Sequence, residues 1–506
     1  MTAPKIPSPR PAAWLVSRLT GAAFTVMLAS CVAVGPDYVR PRMDLPPAYK
    51  ESGPWKTARP QAIDSRQAWW LAYHDRTLSA LMQQANQANQ TIAQAEAQYR
   101  QARALADAAR AGLWPTVGVN AGVTRALTNS NGIKEGTYPS LALGASWEPD
   151  LWGSVRRAVE SGNAGAQASG DELAAARLSI QAALAQDYLQ VRVTDLLIDL
   201  YAVTTDAYAR ALKLTQSQYA VGVALRSDVA LAESQLKTAQ AQGVDLQAQR
   251  SQLEHAIAIL TGKAPANFAL PAVKLTMQQL GARLPVIPTG VPSDLLERRP
   301  DIAGAERLVA QANANIGVAK AAYFPSLTLS AAGGYDGASF ATLFDTPSRV
   351  WSLGAALAQT LFDGGLRKAH SDQAVAAYDA SVAQYKQTVL NGLQQVEDNL
   401  ALLRVLDHEV VLQDQAVQAS QLAERLALAQ YRAGTATYLS VVTAQTLSLT
   451  NQRTAVQLSG LQLAASVALI TATGGGWDAT AAQAPGAAPQ VANANPLNSE
   501  LRKLKP

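Results

Sequence analysis

Two stretches without proline constrain this chain more than any other feature. Proline lacks the N–H that a helix interior needs, and its ring clashes with the preceding turn. The 25 prolines of the chain leave 115 consecutive residues free of it between Pro149 and Pro265, and 137 between Pro347 and Pro485. Both tracts are rich in Ala, Leu and Gln, which favour helix, and carry apolar residues at three- and four-residue spacings, as in Leu178, Ala182, Leu189, Val193, Leu196 and Leu200. The pattern predicts helices from Ser154 to Gln218 and from Leu366 to Tyr431, the first about 97 Å long at roughly 1.5 Å per residue. Each tract is interrupted once by a similar turn, Gln218-Tyr219-Ala220-Val221-Gly222 and Gln430-Tyr431-Arg432-Ala433-Gly434, whose glycine can adopt the left-handed conformation that ends a helix. Each tract therefore reads as a long helical hairpin. A solvent-exposed coiled coil would show the same pattern.

The two turns belong to a wider duplication. Pro115 corresponds to Pro325 and Leu151-Trp152 to Leu361-Phe362 at an offset of 210 residues, while Tyr219 and Gly222 correspond to Tyr431 and Gly434, and Gly262 to Gly474, at 212. Two copies of one unit are expected. Ahead of each hairpin the period changes to two. Leu113, Pro115, Val117, Val119, Ala121 and Val123 alternate with polar or small residues, as do Leu141, Leu143, Ala145 and Trp147 as far as Glu148. The second copy repeats this with Leu327, Leu329 and Ala331, then with Trp351, Leu353, Ala355, Leu357 and Leu361. Such segments suit tilted strands with one lipid-facing side, and Trp114, Trp147, Trp152, Tyr323, Phe324, Trp351 and Phe362 cluster near their ends as interfacial girdles do. Four strands cannot close a barrel, and open edges in lipid leave backbone groups unpaired. The barrel must be shared between chains: two copies give eight strands with an interior filled by side chains, whereas three give twelve and room for a pore.

Composition narrows the functional classes. The 42 basic and 38 acidic residues leave a net charge of +4 over 506 residues, and no basic block with interleaved aromatics suggests nucleic acid. Past residue 30, no uncharged apolar run reaches the roughly 18 residues of a spanning helix. Residues 1–30 carry Lys5, Arg10 and Arg18, then the apolar stretch Leu19 to Ala29, as a secretory signal does. The only cysteine, Cys31, follows the small residues Ala29 and Ser30. This resembles the lipobox of a bacterial lipoprotein, and Val32 at the next position, where an aspartate would retain the protein at the inner membrane, implies sorting to the outer membrane with acyl chains on Cys31.

Further strings carry a family resemblance: Gly35-Pro36-Asp37-Tyr38 with Pro41, Trp69-Trp70 leading to Leu78 and Leu81, and Leu295-Leu296-Glu297-Arg298-Arg299-Pro300-Asp301-Ile302 with Glu306. Over about residues 28–477 the chain resembles the TolC-type outer-membrane efflux factors, in the lipoprotein branch that includes OprM and NodT. The resemblance implies a membrane α+β fold: a homotrimer whose twelve-stranded outer-membrane β-barrel, four strands per chain, continues into a long periplasmic α-helical barrel. It further implies a passive exit duct for small molecules such as drugs or toxic compounds, working with a periplasmic adaptor and an inner-membrane RND-type pump that supplies the energy. An outer-membrane component of a protein-secretion system would share this architecture, and a periplasmic lipoprotein adaptor or coiled-coil scaffold would share the hairpins alone. The expected divisions are a signal peptide (1–30), a lipid-anchored segment (31–74), a first repeat (75–265), a linker (266–291), a second repeat (292–476) and an Ala/Pro-rich tail (477–506).

The resemblance also places the candidate sites. The turns with Tyr219, Gly222, Tyr431 and Gly434 are expected to meet the adaptor. The resting constriction belongs near the same turns, where the family branch carries a leucine ring and, one helical turn on, an aspartate ring. Leu439 corresponds to the leucine, but Thr443 stands at the aspartate position, so acidity is expected from Asp228 instead. Enzyme chemistry finds no motif. His74, His255, His370 and His408 are scattered, no metal-ligand spacing or Walker loop is present, and neither cofactor nor metal is expected. Glu397 and Asp398, adjacent on a helix, read as a solvated or inter-helix charge site; Arg298, Arg299 and Asp301 read as braces around the helix start at Pro300.

Overall fold

The computed structural model describes residues 33–51, 68–128, 134–281, 284–285, 287 and 292–477; Cys31, the signal region and the tail beyond Trp477 lie outside them. The main helices are α1 (Arg76–Ala88), α2 (Gln90–Ala111), α3 (Ser154–Ala220), α4 (Arg226–Leu260), α5 (Pro300–Ala321), α6 (Leu366–Arg432) and α7 (Tyr438–Ala472). The strands are β1 (Thr116–Thr128), β2 (Lys134–Trp147), β3 (Ser326–Asp336) and β4 (Arg349–Ala358). The hairpin helices thus run two residues further than expected in the first repeat and one further in the second. The described residues gather into two compact units, and each draws on both sequence repeats: those within 33–43, 96–170 and 304–387 form one, and those within 44–95, 171–303 and 388–477 the other.

The first unit holds one antiparallel sheet in the order β1-β2-β3-β4. Its register explains the alternation. Val119 pairs with Leu143, Leu143 with Gly333, and Gly333 with Trp351; Ala145 pairs with Ala331, and Ala331 with Leu353. Paired residues share a face, so the odd-numbered residues Val117, Val119, Leu143, Trp147, Leu353 and Leu357, each exposed in the single chain, form one largely apolar face with Leu327 and Leu329 of β3, broken by Arg125, Glu135 and Arg349 toward the end of the β1–β2 and β3–β4 connections. The even-numbered face carries Asn120, Ser140, Gly144, Ser146, Ser330, Ser352 and Gly354. β1 and β4 are the sheet's two unpaired edges. Several expected strand residues, Leu113, Pro115, Glu148 and Leu361 among them, lie outside the sheet. Leu113 closes a turn on the end of α2, Glu148 follows β2, and Leu361 lies past β4. Proline sets two of these limits: β1 starts after Pro115 and β3 after Pro325, and neither proline has an N–H for the ladder, so β4 stops at Ala358 opposite Ser326.

The N-terminal strings of the sequence are fastened here. Gly35, at φ +108°, approaches Gly317 so closely that a Cβ would sit 2.5 Å from its Cα. Arg157 is buried and donates to the Asp37 carboxylate at 2.8 Å and to Glu160 at 2.7 Å. Asn313 donates to the Pro36 carbonyl at 2.9 Å, and the Tyr38 hydroxyl donates to buried Glu306, which also pairs with Arg307.

The second unit is helical, with an apolar core built from Trp69, Trp70, Tyr73, Leu78 and Met82 against Leu184, Tyr188 and Leu189 of α3 and Leu463, Val467 and Ile470 of α7. Asp75 caps α1 by accepting from the Thr77 and Leu78 amides at 2.8 and 3.0 Å, and it also accepts the Tyr188 hydroxyl at 2.6 Å. α7 is long and apolar enough to pass for a membrane span, but 67% of its most apolar window is buried in protein. Arg299, at the boundary before α5, is buried and forks onto Asp301 at 3.0 and 2.6 Å while donating to Gln395 and to the Ala472 carbonyl. Arg298, on the other side, is half exposed and pairs with Asp294. Glu397 differs from the sequence expectation: it accepts the backbone N–H groups of Lys50 and Glu51 at 2.7 and 2.9 Å, and Glu51 in turn pairs with Arg404 at 2.6 Å, so it holds a chain segment rather than facing solvent or a helix.

Candidate functional site at the hairpin turns

Both hairpins turn in the same way. The Gly222 amide donates to Tyr219 and the Val223 amide to Gln218; Gly434 donates to Tyr431 and Thr435 to Gln430, all at 2.9–3.0 Å. These are Schellman bond pairs, with Gly222 at φ +80° and Gly434 at φ +76° as the left-handed residue. A side chain at either glycine meets open space, so the requirement is purely conformational.

The helices that leave the turns begin differently. Asp228, in the first turn of α4, accepts the Leu225 amide at 3.2 Å, which places a carboxylate where the partial positive charge of a helix start favours it. The corresponding residue of α7 is Ser440, whose hydroxyl lies 3.3 Å from that of Thr437. Acidity is therefore confined to the first turn. Leu439 projects from the first turn of α7 and is 60% exposed in the single chain. Thr443 lies one turn on, but its hydroxyl donates to the Leu439 carbonyl at 2.9 Å, so its donor is spent on its own helix.

The two turns are brought together by an aromatic cluster. Tyr431 and Tyr438 meet with ring centroids 5.2 Å apart at 59°, packed with Ala232 of α4 and Val441 of α7. Tyr431 also reaches Thr215 of α3 at 3.5 Å. Burial pushes the Tyr438 phenol up to about 12, with smaller effects from Tyr431, Tyr208 and the Asp228 carboxylate raising it and the Thr215 hydroxyl lowering it. Of the four turn residues expected to meet a partner, Tyr431 is thus buried as packing, only 7% exposed, while Tyr219 is 47% exposed. Tyr438 was not singled out by sequence reasoning. Its signal is an asymmetry between the repeats, because the first has Arg226 where the second has Tyr438. The exposed apolar surface is equally asymmetric: Val221, Val223 and Leu225 extend outward at the first turn, whereas the second presents Ala433, Thr435 and Thr437 at the corresponding positions.

Among the described residues, no group of three or more His, Cys, Asp or Glu side chains is placed to hold a metal ion. The comparisons with known proteins point to transport. Residues 81–263 and 291–475 match the profile named "Outer membrane efflux protein". The pyoverdine export outer membrane protein OpmQ of Pseudomonas aeruginosa is 33% identical over 429 residues, covering 83% of this chain and 89% of OpmQ. Nodulation protein T of Rhizobium leguminosarum bv. trifolii is 30% identical over 86% of this chain and 92% of its own length. Among solved structures, the outer-membrane channel OprN superposes with a TM-score of 0.80 at 29% identity, over 88% of this chain and 99% of OprN. The open-state MtrE outer membrane channel of Neisseria gonorrhoeae gives 0.77 at 27% identity, with the same coverage.

Proposed function

From the premise that this chain belongs to the outer membrane efflux protein family, we propose that it is the outer-membrane exit duct of a tripartite efflux pump, passing small molecules outward under energy supplied by an inner-membrane transporter of RND type. The observation that carries this reading is the sheet, apolar over most of one face, with Arg125, Glu135 and Arg349 only toward the end of the β1–β2 and β3–β4 connections, and largely small or polar across the other, with an unpaired strand at each edge. In lipid such edges must be paired. Three copies joined edge to edge, β4 to β1, pair every strand of a twelve-stranded barrel with the small and polar face lining the pore. The helical hairpins then serve the periplasmic end.

Within this reading, Leu439 forms the constriction by bulk, and Asp228, not Thr443, sets charge preference near it. The apolar first turn around Tyr219 and Val223 meets the periplasmic adaptor, with Gly222 and Gly434 holding the turn shape. Cys31 becomes the acylated N-terminus, anchoring the strap that begins near Val34. Each sequence repeat contributes two strands and one hairpin, as the divisions at 75–265 and 292–476 imply. The test is a mass measurement of detergent-purified protein together with planar-bilayer conductance. A trimer that conducts supports the duct, and a monomer without conductance removes it. Mass spectrometry of the mature N-terminus separately decides the Cys31 anchor: retention of residues 1–30, or an unmodified Cys31, excludes it.

A further inference from the structure

Beginning about one helical turn from the hairpin turns, α3, α4 and α7 line a half-open cavity of about 460 Å³, a volume within the range of small-molecule sites. Tyr201 and Tyr208 of α3 form one wall, Gln235 of α4 a second, and Leu449, Thr450 and Arg453 of α7 the third. Two of its polar side chains are unspent. The Oε1 and Nε2 of Gln235 reach no partner in good hydrogen-bond geometry, the Tyr208 hydroxyl beside it being near enough only to act on that phenol's titration, and the buried Nε of Arg453 has no partner either. Arg453 forms no ion pair with any described residue. Glu424, whose charge is felt at Tyr208, lies outside the lining. Buried polar groups are normally satisfied, and a guanidinium is a planar fork matched to two carboxylate oxygens. The surrounding tyrosine rings and leucine offer flat apolar surface to whatever carries the carboxylate.

We propose that this cavity is a binding site for a small aromatic carboxylate, its carboxylate held by Arg453, its ring between Tyr201, Tyr208 and Leu449, and its edge hydrogen-bonded by Gln235. The site lies in the hairpin wall and goes beyond the duct reading, since it needs neither an open pore nor a partner protein. Nothing covalent occurs there.

Equilibrium dialysis of the full-length purified protein against 2-naphthoate tests it. One saturable site per chain is expected. Arg453→Gln weakens 2-naphthoate at least tenfold while changing 2-naphthamide less than twofold, and Gln235→Leu weakens both. A mutation-free arm uses phenylglyoxal, which modifies arginine: 2-naphthoate protects Arg453 by peptide mass spectrometry, and 2-naphthamide does not. Absence of saturable binding, an unchanged affinity in Arg453→Gln with no protection in the unsubstituted protein, or equal displacement by inorganic phosphate overturns the proposal, the last by showing a general anion site. Conductance of the same preparation is read in parallel, so failure of the cavity and failure of the duct are told apart.

Discussion

Arg299 shows how much structure a single side chain can hold when its geometry is a fork. It bridges Asp301, Gln395 and the last turn of α7 from a buried position, and removing one partner of such a group leaves the others unpaired. Arg299→Ala is expected to cost about 3 kcal/mol, read as a lowered thermal midpoint in detergent, and Arg299→Lys to recover less than half, because an ammonium cannot span both Asp301 oxygens and the carbonyl together. The opposite sign is expected at His74, the only non-glycine described at positive φ (φ 50°). Left-handed backbone costs a residue with a Cβ about 1–2 kcal/mol, so His74→Gly should raise the midpoint, less the extra freedom that glycine brings to the unfolded chain. Asp407 supplies the pH-dependent case. Burial raises its pKa, the Gln462 donor opposing, so its contribution to stability is complete below the unfolded carboxylate range and is lost as pH rises through the raised folded value. Asp407→Asn should flatten the stability profile across that window, as measured by melts at stepped pH. The bracing by Arg299 and Asp301 was legible in the sequence because proline marks a helix start and charges beside it have few other uses. The clasp of Glu397 on Lys50 and Glu51 was not, since backbone N–H groups are carried by almost every residue and leave no trace in side-chain pattern.

At the scale of elements, periodicity carried most of the fold. The proline-free tracts located both long helices within two residues, and the period-two segments located all four strands, while their ends were set by ladder partners and prolines that alternation does not register. The faces, however, become a single surface only through the register between β2 and β3, which joins the two repeats. Leu143→Arg or Leu353→Arg should therefore reduce assembly, since an arginine on the lipid face of a barrel costs about 2–4 kcal/mol near the midplane. Gly144→Ala, whose Cβ meets nothing nearer than an Asn120 nitrogen at 4.0 Å, should assemble normally. Gly333 and Gly334 sharpen the contrast. A Cβ at Gly333 meets open space, and one at Gly334 lies 2.1 Å from the Leu141 carbonyl oxygen. Alanine at 334 should lower the yield of trimer resistant to SDS and alanine at 333 should not; equal yields would mean that the repeats are not joined by this seam. At the turns, the Schellman glycines were legible and the burial of Tyr431 was not, because its partner Tyr438 breaks the repeat symmetry on which the sequence comparison relied.

For the whole molecule, the decisive quantity under the duct reading is what three chains do that one does not. Conductance should rise in Leu439→Ala if the constriction is a matter of bulk, and Asp228→Asn should reduce cation preference more than Thr443→Ala, whose hydroxyl is already committed to the Leu439 carbonyl. Unchanged closed-state current in Leu439→Ala would move the constriction elsewhere along the hairpins. The two open edges of the sheet also have a genetic consequence. If each barrel draws its strands from three chains, a cell expressing a pairing-defective copy alongside an equal amount of the normal one builds only about one in eight of its barrels wholly from normal subunits, by random choice at three equivalent positions. A lesion that spoils the pairing edge of β4 but leaves β1 able to join a neighbour should therefore be dominant in a merodiploid strain, whereas a deletion of the whole gene should be recessive.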